Sequence, residues 1–287
     1  MKKFLFITHI TPVNKRSALR QALIDAYYKG LAAQTYGQWK VVVVGEENKT
    51  EGKFHYFNLP GESREEKAVA VKAMMSSERF LALANEADYI VKLDDDDIIS
   101  PGVLEKVSAM DVDAYYDRFH TFYDISSGVI TQQRRDWFAS TCIHKREHVL
   151  AEWNGSGATA VGNLLYTEHH ASWHVFYKDK NAVAADPAEP VYMRVLSPTS
   201  ITSGALAGPP QSISEISMDK YFNYLKSFGN WNPAPVKNFT SAFPALATAW
   251  LKFSGHPQQS LPENVTAASK EKIISKIKNI FFGKRNR

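Results

Sequence analysis

Four consecutive carboxylates, Asp94-Asp95-Asp96-Asp97, follow the apolar run Tyr89-Ile90-Val91-Lys92-Leu93 and precede Ile98-Ile99-Ser100-Pro101. Adjacent acids repel one another, so four of them at the end of a buried strand predict a cation between them. A D-x-D site holds a hard divalent ion, Mn2+ or Mg2+, through one or two carboxylate oxygens while a substrate's phosphates supply further ligands. Successive residues of an extended chain face opposite sides, so Asp94 and Asp96 are expected to share one ligand and Asp95 to point away from it. A solvated acidic loop is the competing reading. The apolar strand before the acids and Pro101 after them weigh against it.

A second group of chemically capable residues lies between Tyr166 and Tyr177, where Glu168, His169, His170 and His174 surround Trp173. Imidazole accepts a proton near neutral pH, and a carboxylate does the same when its surroundings allow. Ordinary surface or pocket-wall histidines are the alternative. The spacing 169, 170, 174 puts at most two imidazoles on one helical face, which disfavours a three-histidine metal site. Arg194, Arg134, Arg135, Lys67 and Lys72 are the cations available to a bound phosphate. Trp137, Trp153 and Trp173 are candidates for stacking on sugar faces or for core packing.

These groups need a frame. Phe4 to Ile7 reads as a first strand, Ser17 as a helix cap, and Leu19, Leu23, Tyr27 and Leu31 recur at helical spacing. Val41 to Val44 is β-branched without alternation, as expected of a parallel strand covered on both faces. Phe54 to Phe57 is a further strand, Glu65 to Ala84 one long helix with Ser63 as its cap, and Tyr89 to Leu93 the next strand. A helix is expected to begin at Pro101, and strands within Ala114 to Val129, Trp137 to Ile143 and Val191 to Val195. Strands alternating with helices predict a doubly wound sheet, in which ligands bind beyond the carboxyl ends of the strands.

The 287 residues suffice for one large α/β domain or two small ones, and a formal charge of +4 is too mild to call for nucleic acid. One cysteine excludes an internal disulfide framework and any multi-cysteine zinc site. The apolar run after Met1-Lys2-Lys3 ends at Thr8-His9 with no cleavage site, and no window is long enough to span a membrane, so a cytoplasmic protein is expected. Beyond Ser203 the composition shifts to proline-punctuated segments, read as a helical C-terminal extension over 204–287. Its last part, 268–287, sets Ile273, Ile274, Ile277, Phe281 and Phe282 among lysines and arginines. That pattern suits a solvated basic helix or an interfacial helix on an anionic inner membrane surface.

The opening Ile7-Thr8-His9-Ile10-Thr11-Pro12-Val13-Asn14, the helix from Ser17 to Gln34 and Trp39 to Val44 resemble the first strand, helix and second strand of GT-A-fold glycosyltransferases. The chain is most similar to the inverting family 2. Tyr89 to Pro101 resembles that family's D-x-D-D segment, with Asp94, Asp96 and Asp97 at the motif positions. Glu168-His169 stands where the family has Glu-Asp before a tryptophan, and Tyr192-Met193-Arg194 with Ser200-Ile201-Thr202 resembles its closing segment. The resemblance covers residues 3 to 203 and implies an α/β GT-A domain over 1–203. That domain is Rossmann-like, with a mostly parallel central sheet and flanking helices.

The resemblance further implies Asp96 and Asp97 at a metal, and Thr11, Glu46, Asp94, Asp95 and Arg194 around a nucleotide-diphosphate sugar, with Asp94 nearest the ribose. His169 or Glu168 is implied as the base. Two departures stand out: Gly45-Glu46-Glu47 replaces the usual Asp after the second strand, and His169 replaces the catalytic Asp. The expected activity is metal-dependent, inverting sugar transfer to a glycan or lipid-linked acceptor, as in polysaccharide biosynthesis, by an enzyme in the cytoplasm or peripheral at the inner membrane face. A non-catalytic nucleotide- or sugar-binding protein on the same scaffold is the rival from another class. A nucleotidyltransferase would be expected to carry a glycine-rich loop after the first strand, and Thr8 to Lys15 holds no glycine. No P-loop motif occurs.

Overall fold

A computed structural model describes residues 1–45, 47, 50–61, 64–125, 129–151, 164–167, 170 and 173–199. The expected C-terminal extension and basic tail lie outside the described residues. The first sheet is built from β1 (Phe4–His9), β2 (Trp39–Gly45), β3 (Thr50–Glu51), β4 (Phe54–Asn58), β5 (Tyr89–Lys92), β7 (Ala114–Tyr116), β10 (Ile143–Lys145) and β11 (Ala182–Ala184). Its order is β11-β7-β10-β5-β1-β2-β4-β3. The inner run β5-β1-β2-β4 is parallel, while β10 is antiparallel to both neighbours and β3 is antiparallel to β4. A second sheet, ordered β6-β12-β8-β9, comprises β6 (Ile98–Ile99), β8 (Phe119–Asp124), β9 (Val129–Arg134) and β12 (Tyr192–Leu196). The α/β class with a mostly parallel centre and flanking helices is what the alternating pattern called for.

Helices α1 (Ala18–Ala32) and α4 (Val103–Ser108) cover one face of the first sheet, where Ile24, Tyr27, Leu31, Val103 and Leu104 pack on Phe4, Phe6, Val41, Val43 and Val91. On the other face, α2 (Arg64–Met75), α3 (Glu78–Asn85), α5 (Arg146–Leu150), α6 (Leu164–Thr167) and α7 (Trp173–Phe176) join Leu5, Ile7, Val42, Val44 and Ile90 in a second cluster. The β2 run is therefore buried on both sides, which is why it does not alternate. Leu19, Leu23 and Ala26 of α1 pack instead on Ile98, Tyr123, Met193 and Val195 of the second sheet. Helix α1 thus wedges between the two sheets.

Three expected elements differ in extent. The single helix expected over Glu65–Ala84 breaks into α2 and α3 because the Ser77 side chain accepts from Phe80 N and caps a new helix. Trp137–Cys142 is a loop, and only Ile143 of that segment enters a strand. The aromatic run Ala114–Val129 divides into strands of different sheets, β7 and β8, on either side of Asp117-Arg118. No helix among the described residues is long and apolar enough to cross a membrane.

Candidate functional site

Strand β5 stops at Lys92, and Asp97 N donates to Asp94 O at 3.1 Å, so the four carboxylates are the four corners of one β-turn. The turn lies at the carboxyl ends of β1 and β5, with Leu93 N bonded to Ile7 O at 3.1 Å. Open parallel sheets bind ligands at this end. Because the chain turns here, the alternation expected of an extended segment does not hold. Asp95 does not point away: it is 2% exposed, and its Oδ2 accepts from Thr11 N at 2.7 Å while Oδ1 pairs with Arg20. Asp96 pairs with the same guanidinium through Oδ2, and Asp97 Oδ1 accepts from Val195 N at 3.1 Å. Asp94 is exposed.

Arg20 is the site residue that sequence reading overlooked. Ser17 caps α1 by accepting from Arg20 N at 3.2 Å, and this places Arg20 in the first turn, facing the carboxylates. Its side chain is 3% exposed, forks between Asp95 and Asp96, and donates from Nε to Thr11 Oγ1 at 2.9 Å. A sequence signal existed: Arg20 opens the stripe Arg20-Ile24-Tyr27-Leu31, so a cation occupies a position whose helical register is buried. Two neighbours tie the loop after β1 in place. Arg16 Nε donates to Thr11 O at 2.7 Å, and the Thr8 hydroxyl donates to Leu93 O at 2.8 Å.

The electrostatics divide the carboxylates into two pairs. Burial opposes ionisation of Asp95, but Arg20 and Lys67 outweigh it and hold its pKa below the usual range. For Asp94 desolvation is likewise outweighed, here by Lys92 and Arg194. Burial raises Asp96, despite the Arg20 charge, and carries Asp97 well above the ordinary range with help from the charges of Asp96 and Asp94. Lys67 is pushed down, chiefly by desolvation, and His9 at the end of β1 falls to about 4 through burial and the Lys67 charge.

Two acids that resist ionisation beside two that accept it form a site that gains from added positive charge. No three of the turn's carboxylates bring ligand oxygens within 4.8 Å of one another. An all-protein cage therefore does not fit, and a hard cation at the turn would be held by at most two carboxylates and completed by non-protein oxygens.

Among the described residues, the group that does converge within 4.8 Å, Asp113, Glu147 and His148, lies near the opposite end of β5, where Lys145 pairs with Tyr89. There His148 Nε2 donates to Asp113 Oδ1 at 2.9 Å, and Lys145 Nζ lies 3.8 Å from Asp113 and 3.6 Å from Glu147. Lys145 thus supplies a charge beside these carboxylates, as Arg20 does beside Asp95 and Asp96.

On the other flank of the turn, Arg194 of β12 acts electrostatically on both Asp94 and Asp97. The loop 137–140 borders β12, with Ser140 Oγ 3.0 Å from Tyr192 OH. Two imidazoles hang from carbonyls of this loop: His120 Nε2 donates to Trp137 O at 3.1 Å and His170 Nδ1 to Phe138 O at 2.7 Å. Donation from Nδ1 puts the lone pair of neutral His170 on Nε2. Trp173 is core: it is 1% exposed and its Nε1 donates to Leu164 O at 3.0 Å. Trp137 is half-buried under Arg135, whose guanidinium lies 5.2 Å from the ring. Lys72 and Arg134 are exposed. Glu46, Glu168, His169 and Trp153 lie outside the described residues.

No protein-family model and no curated protein matches the chain. Among solved structures it is similar to the apo-form glycosyltransferase GlyE of Streptococcus pneumoniae TIGR4, at 9% identity and a TM-score of 0.37 over 91% of this chain. The chain spans 66% of the length of GlyE, just under two thirds. It is also similar to a Bacillus anthracis protein described as a glucose-1-phosphate thymidylyltransferase, at 8% identity and TM-score 0.35, covering 64% of this chain and 86% of that one. A glycosyltransferase involved in glycosylating the major capsid of PBCV-1 gives 8% identity and TM-score 0.34, covering 78% and 99%. All three scores lie below 0.5, so these likenesses carry no conclusion about chemistry.

Proposed function

We propose that the protein is a glycosyltransferase that moves a sugar from a nucleotide-diphosphate donor to a glycan or lipid-linked acceptor. The observation that carries this reading is the carboxylate turn at the carboxyl ends of β1 and β5, bonded to the loop after β1 through Thr11 and to β12 through Val195. Asp94 is the exposed carboxylate at which a ribose hydroxyl would be received, and Asp96 with Asp97 would hold Mn2+ or Mg2+. Such an ion, when bound, neutralises charge on the leaving diphosphate. Arg194 adds a fixed positive charge on the same side. In the transfer the acceptor oxygen bonds to the anomeric carbon, the bond to the diphosphate oxygen breaks, and the acceptor proton passes to His169 or Glu168. Opposite-face attack gives inversion.

Arg20 has a defined part in this scheme. By holding Asp95 and Asp96 it keeps two carboxylates in place before any ligand arrives, so less ordering remains for the binding step. A thermal-shift panel of nucleotide sugars with and without Mn2+ tests the reading, because a ligand of the native state raises its apparent stability. We expect a Mn2+-dependent shift with at least one nucleotide sugar, and its loss in Asp96→Ala. Equal shifts in the variant would overturn the metal assignment. Tight binding without turnover of any donor would favour a binding protein instead.

We also propose that segment 268–287 attaches the enzyme to an anionic membrane surface, where a lipid-linked acceptor would be found. Equal flotation with anionic liposomes with and without that segment would remove this part of the reading.

A further inference from the structure

The corner where β10 runs directly into α5 gathers metal-ligating groups at the end of β5 away from the carboxylate turn, about 15 Å from it at ~3.3 Å per residue. Lys145 ends the strand, and Glu147 and His148 lie in the first turn of the helix. Backbone bonds hold the corner: Arg146 N donates to Asp88 O at 2.8 Å, and Lys145 N to Asp113 O at 2.9 Å. Asp113, just before β7, is fixed from a third side. Its N donates to Asn181 O at 2.8 Å and its Oδ2 accepts from Asn181 N at 2.9 Å, so Oδ1 is the oxygen that meets His148 Nε2 at 2.9 Å. The His148 imidazole in turn packs edge to face against Phe176 and Tyr177, with centroids 5.6 and 5.9 Å away. A Glu147 oxygen completes three donor atoms within 4.8 Å of one another.

This donor set selects its ion. A neutral imidazole beside two carboxylates suits Zn2+, whereas Mg2+ and Ca2+ take oxygen ligands. Bonds of about 2.1 Å in a tetrahedral zinc site put donor atoms about 3.4 Å apart. His148 Nε2 and Asp113 Oδ1 therefore need to part by only about half an ångström, while the exposed Glu147 side chain is free to swing in.

The partners these groups now have can be exchanged. The ion takes the place of the proton between Nε2 and Oδ1, and the neutral imidazole carries its proton on Nδ1 instead. Lys145 Nζ lies 3.6 Å from Glu147, 3.8 Å from Asp113 and 3.9 Å from Asp111, too far to hydrogen-bond to any of them. Its side chain is 32% exposed, and ion pairs this open to water contribute little, so its release costs little. Asp111 keeps Lys2, at 3.8 Å. A divalent charge bonded directly to the carboxylates outweighs one ammonium held at these longer distances. We propose that Asp113, Glu147 and His148 bind Zn2+, with water as the fourth ligand, and that the ion fastens α5 to the β7–β11 edge of the first sheet. It takes no part in the proposed transfer.

The test is calorimetric titration of the chelator-treated full chain with Zn2+, read beside the nitrogen NMR signals of the histidine side chains. One Zn2+ is expected to bind and to shift the His148 Nε2 signal. Affinity should fall about tenfold or more in His148→Ala, the loss that even a supporting residue of a metal site brings. It should rise in Lys145→Ala, where the competing ammonium is gone, a gain that mere damage to the fold would not produce. Asp96→Ala is expected to leave this binding unchanged. Absence of Zn2+ binding, equal affinity in His148→Ala or weaker binding in Lys145→Ala overturns the proposal. Binding lost in Asp96→Ala but kept in His148→Ala also overturns it, by moving the ion to the carboxylate turn.

Discussion

Arg20 is the residue on which the carboxylate turn most depends. Removing it leaves Asp95 and Asp96 buried without their shared cation, and breaking a buried pair costs about 3–5 kcal/mol. Urea unfolding of Arg20→Ala is expected to show that loss, with Arg20→Lys intermediate because an ammonium cannot fork between two carboxylates. Asp117 carries a different consequence. Burial raises its pKa to about 7, against two backbone N–H bonds from Val191 and Tyr192 at 2.9 and 3.3 Å. Between the ordinary carboxylate pKa near 4 and the folded value the unfolded chain ionises this group and the native one does not. The stability it contributes is therefore complete below about pH 4 and lost as pH rises through 7, at about 1.4 kcal/mol per unit. Unfolding free energies of the wild type and Asp117→Asn, compared from pH 4 to 8, should differ by that slope. The role of Asp117 was not legible in sequence, and that of Arg20 only faintly. The period-2 rule that sent Asp95 outward assumes extended chain, and the turn removed the assumption. Arg20 showed itself only as a cation in a buried register.

At the scale of elements, the approach of β4 to α2 depends on Gly61. A Cβ there would stand 2.8 Å from Lys67 N and 2.9 Å from Glu66 C, and neither backbone atom can swing aside. Gly61→Ala is expected to displace the start of α2 and lower stability by about 1–3 kcal/mol, measurable by chemical denaturation. Because α2 also carries Lys67, whose charge helps keep Asp95 ionised, the same variant should weaken the donor-induced thermal shift. Elements with continuous apolar content were legible: β1, β2, β4, β5 and β12 stand where β-branched and aromatic runs placed them. The division of α2 from α3 was not, since a single capping serine, Ser77, interrupts an otherwise helical composition. The second sheet was hidden for another reason. Its strand β6 has two residues, too few to show any period, and β12 joins β8 across about 70 residues of chain.

For the whole molecule, buried neutral imidazoles set the response to acid. Burial lowers His120 to about 4 and His144 to about 3, the latter with Nδ1 2.7 Å from Tyr177 OH. Both groups have folded pKa values below the unfolded one near 6.5. Their contribution is thus fully present above pH 6.5 and is lost as pH falls through 4. Thermal unfolding should accordingly shift downward between pH 6.5 and 4, less steeply in a His144→Gln variant that retains the fold. The carboxylate turn also joins the two sheets, since β5 enters it from the first and β6 leaves it into the second, with Asp95 bonded to one side and Asp97 to the other. An ion or donor seated there is therefore a fastener across a seam. Its arrival should slow amide hydrogen exchange in β1 and β12 together, although the two strands belong to different sheets.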